Sequence, residues 1–291
     1  MIAVIWGSTS FHAYKLGSEG NVEAERTSAR GAVAVPAGGF EEALKQEVGD
    51  WIHEGDGRVL LSGMVGARRG WKEAPYVTVP ADFDRLVEGV VRVEAEGMDA
   101  RIVPGMMAAD ENGVPEVLRG EETQIFGCAG EVEKFARVCL PGLHSKWVRM
   151  EGGQIRGFST SMSGDLFNAI RASTILHACT KHEPNDDDAF LMGVERAKQS
   201  GELSHHLFGV RTLVLTGSMK EAGASSFLYG LLIGHEVKAE AHAGEMVHLI
   251  GDAKLCGHYE MALLAMDIGS TIEPQGTALK GLKRIAARLE W

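Results

Sequence analysis

Two stretches of this 291-residue chain begin alike, with three short strands joined by tight turns, before running on into helices and further strands. In the first, Ile2 to Trp6 is an apolar run that stops at Gly7-Ser8-Thr9-Ser10. Phe11 to Leu16 returns, and Val22 to Ser28 alternates as a third strand. In the second, Phe135 to Leu140 meets the turn Pro141 to Ser145, Lys146 to Glu151 follows, Gly152-Gly153 turns again, and Gln154 to Ser159 closes the set. Helical spacing marks Phe40 to Ile52 after the first set, with Arg58 to Gly63 as a buried strand. After the second set it marks Asp165 to Leu176, Asp187 to Ala197, Phe227 to Ala241, Leu255 to Met266 and Ala278 to Leu289, with Val247 to Ile250 as a strand. The order of elements predicts an α/β protein in two parts, 1–118 and 119–291, with a ligand cleft between them. Residue identities do not repeat, so duplication and chance likeness both fit the pattern.

Composition narrows the partners. Lys and Arg number 29 against 40 Asp and Glu, a net charge of −11 that argues against nucleic-acid polymers and anionic membrane surfaces. Glycine is in excess, 37 residues or about 13% against an ordinary ~7%, with no repeat or low-complexity tract. Tight turns and close backbone approaches are where such glycines belong. Met1 leads directly into an apolar strand without a basic leader, and no apolar run nears the ~18 residues of a membrane span. Cys128, Cys139, Cys179 and Cys256 lie far apart with no CxxC, which reads as reduced thiols in a cytoplasmic protein.

The common phosphate and hydrolase signatures are missing: there is no Gly-Lys-Ser/Thr, GxGxxG, HExxH or GxSxG. Asp186-Asp187-Asp188 reads as an acidic helix start rather than a metal site. What remains is turns. Gly7-Ser8-Thr9 and Gly142-Leu143-His144-Ser145-Lys146 join strands with small, hydroxylated and basic residues, a chemistry that can wrap phosphate; either also reads as an ordinary hairpin. Between the halves, Glu121 and Glu122 open a helix in Arg119-Gly120-Glu121-Glu122-Thr123-Gln124-Ile125-Phe126-Gly127, as capping residues or as a general base.

Longer stretches carry a family resemblance. Ser62-Gly63-Met64-Val65-Gly66, Gly70 through Tyr76, Pro104-Gly105, Arg119 through Gln124, Leu140-Pro141-Gly142, His144 through Val148 and Leu249-Ile250-Gly251-Asp252 together closely resemble the 2-dehydro-3-deoxygalactonokinases. The resemblance implies a two-lobed actin-like ATPase fold, a duplicated ribonuclease H-like α/β architecture with a central cleft. It implies a cytoplasmic sugar-acid kinase of galactonate degradation, using ATP and Mg²⁺ to phosphorylate the 6-hydroxyl of 2-dehydro-3-deoxy-D-galactonate. Its partners would be that small molecule and ATP, with a homodimer left open. By resemblance, Gly7, Ser8 and Thr9 match the first phosphate hairpin, and Gly142, His144, Ser145 and Lys146 the second. Gly251 and Asp252 match the adenosine motif, with Gly230 and Gly234 set on the same side. Glu121 is the expected base, ahead of Glu122. Met64, Val65, Gly66, Arg68, Trp71 and Glu73 are expected to shape the sugar-acid pocket, with Arg68, Arg69 or Arg119 on the substrate carboxylate.

The sequence departs from the family pattern on the phosphate side. Ile5 stands where the family carries the Asp that orients Mg²⁺, and Leu143 replaces a hydroxylated residue. An isoleucine cannot ligate a hard cation. The metal ligand is therefore unassigned, with Asp252, Asp165 and Glu121 as substitutes, and a catalytically weakened sugar-acid-binding homologue is the alternative reading.

Overall fold

Ile2–Trp6 (β1) has no polar side chain, and the structure, a computed structural model describing residues 1–55, 57–128 and 135–291, gives it a central place. It pairs antiparallel with Phe11–Leu16 (β2) and parallel with Arg58–Gly63 (β4). Val22–Ser28 (β3) extends the sheet beyond β2. On the other side follow Met98–Ile102 (β7) and Val91–Ala95 (β6), giving the order β3-β2-β1-β4-β7-β6. Helix Phe40–Glu54 (α1) buries Phe40, Ala43, Leu44, Val48, Trp51 and Ile52, the stripe its spacing predicts. That stripe joins Ile2, Val4, Trp6, Val59 and Leu61 in one core. Trp6 is the hinge of it, edge-on to Phe11 and Phe40 with centroids 5.0 and 5.4 Å away. A small sheet of Val77–Thr78 (β5), Met106–Ala109 (β8) and Pro115–Leu118 (β9), in the order β5-β8-β9, and helix Phe83–Glu88 (α2) complete this part of the chain.

The second sheet consists of Phe135–Leu140 (β10), Ser145–Glu151 (β11), Gln154–Ser161 (β12), Met246–Leu249 (β13) and Gly269–Ile272 (β14), in the order β12-β11-β10-β13-β14. Its helices are Ser163–Ser173 (α4), Asp187–Lys198 (α5), Leu203–Leu215 (α6), Ala224–Glu240 (α7) and Ala253–Leu264 (α8). Most of α7 is buried, from Ala224 to Val237. Gly230 and Gly234 of α7 serve packing and not a ligand: a Cβ on Gly230 would lie 1.9 Å from the carbonyl oxygen of Phe190 in α5, and one on Gly234 would lie 2.8 Å from the Cβ of Ala197.

Both sheets therefore place their first four strands in the order third, second, first, fourth, with the first strand parallel to the fourth in each; the strand beyond the fourth is the sixth in the first sheet and the fifth in the second. This is the repeat read from the sequence, now present in the hydrogen-bonding order. The chain packs as two units, one of Met1–Phe135, Arg149–Phe158 and Gly276–Trp291, the other of Ala136–Val148 and Ser159–Gln275. The first unit extends past the 118/119 boundary expected from the sequence, because Glu121–Gly127 (α3) is crossed by Thr277–Ala286 (α9). Their backbones touch: a Cβ on Gly127 would stand 1.9 Å from the carbonyl oxygen of Thr277, and one on Gly281 would stand 1.9 Å from that of Thr123. No described helix is long and apolar enough to cross a membrane.

Such spacing tolerates hydrogen alone. We expect Gly281→Ala to destabilise the protein by about 3 kcal/mol, the upper range for overpacking, measured by urea unfolding. A loss below about 0.5 kcal/mol, the level of an ordinary surface change, would show that the crossing adjusts at little cost.

Candidate functional site

The acidic turn lies beside the ends of the two central strands of the first sheet. Gly120, with φ of 107°, leads the chain into α3. The two carboxylates then fold back on the turn: Glu121 Oε2 accepts the Arg119 N–H at 2.8 Å, and Glu122 Oε2 accepts the Gly120 N–H at 2.6 Å. Thr123 Oγ1 donates to the Gly120 carbonyl at 2.7 Å. Beneath, Ser62 of β4 donates to Glu122 Oε1 at 3.4 Å. Glu122 is fully buried, whereas Glu121 is partly exposed and is the one carboxylate of the pair with a route to a ligand. Burial, reinforced by the neighbouring charge of Glu121, pushes the Glu122 carboxyl up to about 8. Ile5 stands in register between His12 and Ser62, so strand alternation puts its side chain on the face that Ser62 shares with α3.

The other expected residues of the first unit divide by exposure. The loop after β4 closes on itself, with the Trp71 N–H on the Val65 carbonyl at 2.8 Å and the Ala74 N–H on that of Gly66 at 3.0 Å. Val65 and Gly66 are buried, while Met64, Arg68 and Glu73 are exposed and Trp71 is half-buried against the core. Arg119 is only partly committed within this loop: its Nη2 donates to the Ala74 carbonyl at 2.9 Å and its guanidinium lies 4.4 Å over the Tyr76 ring, while its Nε and Nη1 are buried without a hydrogen-bond partner. Arg68 and Arg69 are the exposed cations of the set. Ser8 and Thr9 sit exposed at the tip of the first hairpin, where the Gly7 N–H donates to the Ser10 carbonyl at 2.9 Å. Gly31, which the sequence reading missed, clamps that tip; a Cβ there would fall 2.1 Å from the Ser8 carbonyl oxygen.

In the second unit, two separately expected segments line one pocket of about 320 Å³. Gly142 and Leu143 come from the hairpin and Asp252 from the turn after β13, with Phe167, Tyr229, Leu255 and His258 supplying an apolar and aromatic wall. Asp252 caps α8 by accepting the Leu255 N–H at 3.0 Å. The N-terminal turn of α4 presses on the hairpin: the Asp165 N–H donates to the Leu143 carbonyl at 3.2 Å, and His144 Nε2 meets Asp165 Oδ2 at 2.6 Å. Ser145 and Lys146 are buried rather than offered to solvent. Ser145 Oγ lies 2.7 Å from the Tyr259 hydroxyl, and Lys146 Nζ donates to Thr160 Oγ1 at 2.9 Å. Among the described residues, no three His, Cys, Asp or Glu side chains gather as a metal site.

Residues 6–285 match the family described as 2-keto-3-deoxy-galactonokinase. The chain is 35% identical to a Rhizobium meliloti protein named probable 2-dehydro-3-deoxygalactonokinase, over 99% of this chain and 97% of that one. It is 32% identical to the 2-dehydro-3-deoxygalactonokinase of Escherichia coli, over 98% and 97%. A crystal structure of a Sinorhizobium meliloti protein named for the same activity matches with a TM-score of 0.89 at 33% identity, covering 98% of this chain and 97% of that one. At 12% identity, (R)-2-hydroxyglutaryl-CoA dehydratase component A of Acidaminococcus fermentans matches with a TM-score of 0.50 over 98% of each chain, a likeness of fold alone. The fold is that of the actin-like ATPases and sugar kinases.

The buried carboxyl makes stability depend on pH. Glu122 keeps its proton to about pH 8 when folded and to about 4.5 when unfolded, so the folded state holds the extra proton in that window. Stability is lost as pH rises through it. We expect the wild-type Tm to fall between pH 5 and 8 by several degrees, roughly 5 °C, more than that of Glu122→Gln. Parallel Tm curves for the two proteins would refute the assignment.

Proposed function

The chain belongs to the 2-keto-3-deoxy-galactonokinase family, and from that membership we propose that it transfers the γ-phosphoryl group of ATP to the 6-hydroxyl of 2-dehydro-3-deoxy-D-galactonate. The observation that carries this reading is agreement along nearly the whole chain in both sequence and structure, at 32–35% identity and a TM-score of 0.89. The relatives are named as kinases, so the non-catalytic alternative is not favoured.

Each unit supports part of the chemistry. In the first, Glu121 is the proposed base: its carboxylate takes the proton of the 6-hydroxyl as that oxygen attacks the γ-phosphorus in line. The bond from the γ-phosphorus to the β–γ bridging oxygen breaks, ADP leaves, and the proton passes from Glu121 to solvent. Glu122, enclosed beneath it, holds the turn through the Gly120 N–H and Ser62. An exposed Arg68 or Arg69 suits the substrate carboxylate, which an arginine grips with two parallel hydrogen bonds. Ser8 and Thr9, exposed at the tip of the first hairpin, suit phosphate oxygens.

In the second unit, the turn after Gly142, at Leu143 and His144, has backbone N–H groups suited to the β- and γ-phosphates, and the aromatic wall of the adjoining pocket suits the nucleoside. Mg²⁺ fits here as a companion of the nucleotide, since it keeps several waters and needs only one or two carboxylates beside phosphate oxygens. Asp165, packed on the hairpin, is the carboxylate that would hold it, and Ile5 contributes nothing to it. When bound, the ion neutralises charge on the phosphates. The protein side of the reaction is otherwise positioning, as phosphoryl transfer chiefly requires.

We expect Glu121→Gln to lower kcat by about 10²–10⁴-fold with the KM for ATP little changed, measured by coupled ADP release with the sugar acid as acceptor. Full turnover in Glu121→Gln would remove the base from this turn. No turnover of 2-dehydro-3-deoxy-D-galactonate by the wild type, despite ATP binding, would overturn the substrate.

A further inference from the structure

A buried polar chain reaches the second hairpin from the far side of its own unit. Glu236 lies on α7 with 5% of its surface exposed. One of its carboxyl oxygens, Oε1, receives two donors: the Trp147 indole N–H at 2.8 Å and the Tyr259 hydroxyl at 2.9 Å. The other oxygen, Oε2, is buried without a hydrogen bond of ordinary geometry, and the Ser163 and Ser145 hydroxyls are further donors acting on the carboxyl. Tyr259 comes from α8 and is itself almost fully buried. Its oxygen lies 2.7 Å from Ser145 Oγ, and Ser145 Oγ lies 3.3 Å from the backbone nitrogen of Gly142.

The direction of this chain follows from its end. The Tyr259 hydroxyl donates to Glu236 Oε1, so its hydrogen points at Glu236. The Tyr259 oxygen then accepts the hydrogen of Ser145, and the 2.7 Å separation makes this the strong bond of the pair. The Gly142 carbonyl, 3.4 Å from Ser145 Oγ, is a longer alternative for that hydrogen; with it on Tyr259, Ser145 turns lone pairs toward Gly142 and accepts its N–H at 3.3 Å. The serine of the hairpin is thereby used to set the turn, and its full burial agrees with that use.

We infer that Glu236 is a positioning residue for phosphoryl transfer: acting through Tyr259 and Ser145, it fixes the Gly142 turn and hence the N–H groups that meet the phosphates of ATP. This rests on the reading of that hairpin as the phosphate site. Burial raises the Glu236 carboxyl above the usual range against the opposing pull of its donors, consistent with a group that serves by accepting hydrogen bonds. An amide oxygen accepts as well, so charge is not required.

Four variants test it, with kinetics measured separately for ATP and for the sugar acid. Tyr259→Phe keeps the ring and breaks the chain; its kcat/KM for ATP should fall about tenfold, the worth of one such hydrogen bond, with the KM for the sugar acid within twofold of wild type. Glu236→Leu should reproduce that fall, and Glu236→Gln, which keeps an acceptor at Oε1, should restore most of the loss. Trp147→Phe removes the other donor without touching the chain, so it should lower Tm while leaving the ATP kinetics intact. An equal ATP defect in Trp147→Phe would reduce the network to general stability and overturn the inference, as would unaltered ATP kinetics in Tyr259→Phe. If Tyr259→Phe does not fold, the Glu236 variants and Trp147→Phe decide: unaltered ATP kinetics in Glu236→Leu, or an ATP defect in Glu236→Gln or Trp147→Phe as large as that of Glu236→Leu, overturns it. A wild type that fails to bind a fluorescent ATP analogue would instead bring down the hairpin's reading as a phosphate site.

Discussion

Two seven- to ten-residue helices that meet without side chains between them hold the acidic turn of this protein in place. Gly127 and Gly281 bring α3 and α9 into backbone contact, and that contact presses the first turn of α3 onto the end of β4. A helix seated any higher would lift Glu122 off Ser62 and admit water to it. The carboxyl would then ionise at ordinary pH, and the turn that carries Glu121 would lose the neutral acceptor beneath it. Dispersion between closely packed atoms is weak singly, but here it decides the electrostatics of the residue on which the chemistry is proposed to turn.

Each unit encloses one glutamate near its working loop, Glu122 in the first and Glu236 in the second. Both accept from the protein: Glu122 takes a backbone N–H on one oxygen and a serine on the other, and Glu236 takes an indole and a phenol on a single oxygen. A buried acid satisfied by several donors fixes the directions of its neighbours, because it removes the choice of which partner donates. The exposed groups beside these acids, Glu121 and the turn at Gly142 to His144, are then held by few further contacts, Glu121 by the Arg119 N–H and the turn by Asp165. Rigidity is supplied from behind, and the faces that would meet ligands remain uncommitted.

Strand content was legible where one physical rule prevailed. β1, β2, β3 and β4 have the limits that apolar runs and turn residues predict, since a central strand leaves little room for other solutions. The hairpin of β6 and β7 was passed over although Val91 to Ala95 alternates, and its charged residues explain why it reads as surface. Helix α6 escaped notice because apolar residues surround it, with Phe208 and Leu215 left exposed, so no stripe stands out. For the candidate site, spacing located the loops but not the directions of their side chains. Nothing in the order Gly-Leu-His-Ser-Lys says that the serine faces a tyrosine 114 residues later, or that Arg119 turns toward Ala74 and Tyr76. Those directions are settled by partners distant in the chain.

The crossing of α3 by α9 also sets a timetable. Ribosomes add about 5–20 residues per second, so the roughly 150 residues separating Gly127 from Gly281 take about ten to thirty seconds to appear. Throughout that interval the first sheet can assemble and Phe83 can meet Phe126, but the side of α3 that α9 will cross, at Thr123 and Gly127, lacks its cover. The nascent chain thus carries a sticky helix for far longer than a small domain needs to fold. The second unit, complete by Gln275, is spelled out entirely inside this wait. Newly made protein is most exposed to aggregation and to chaperone capture just before its last helix arrives.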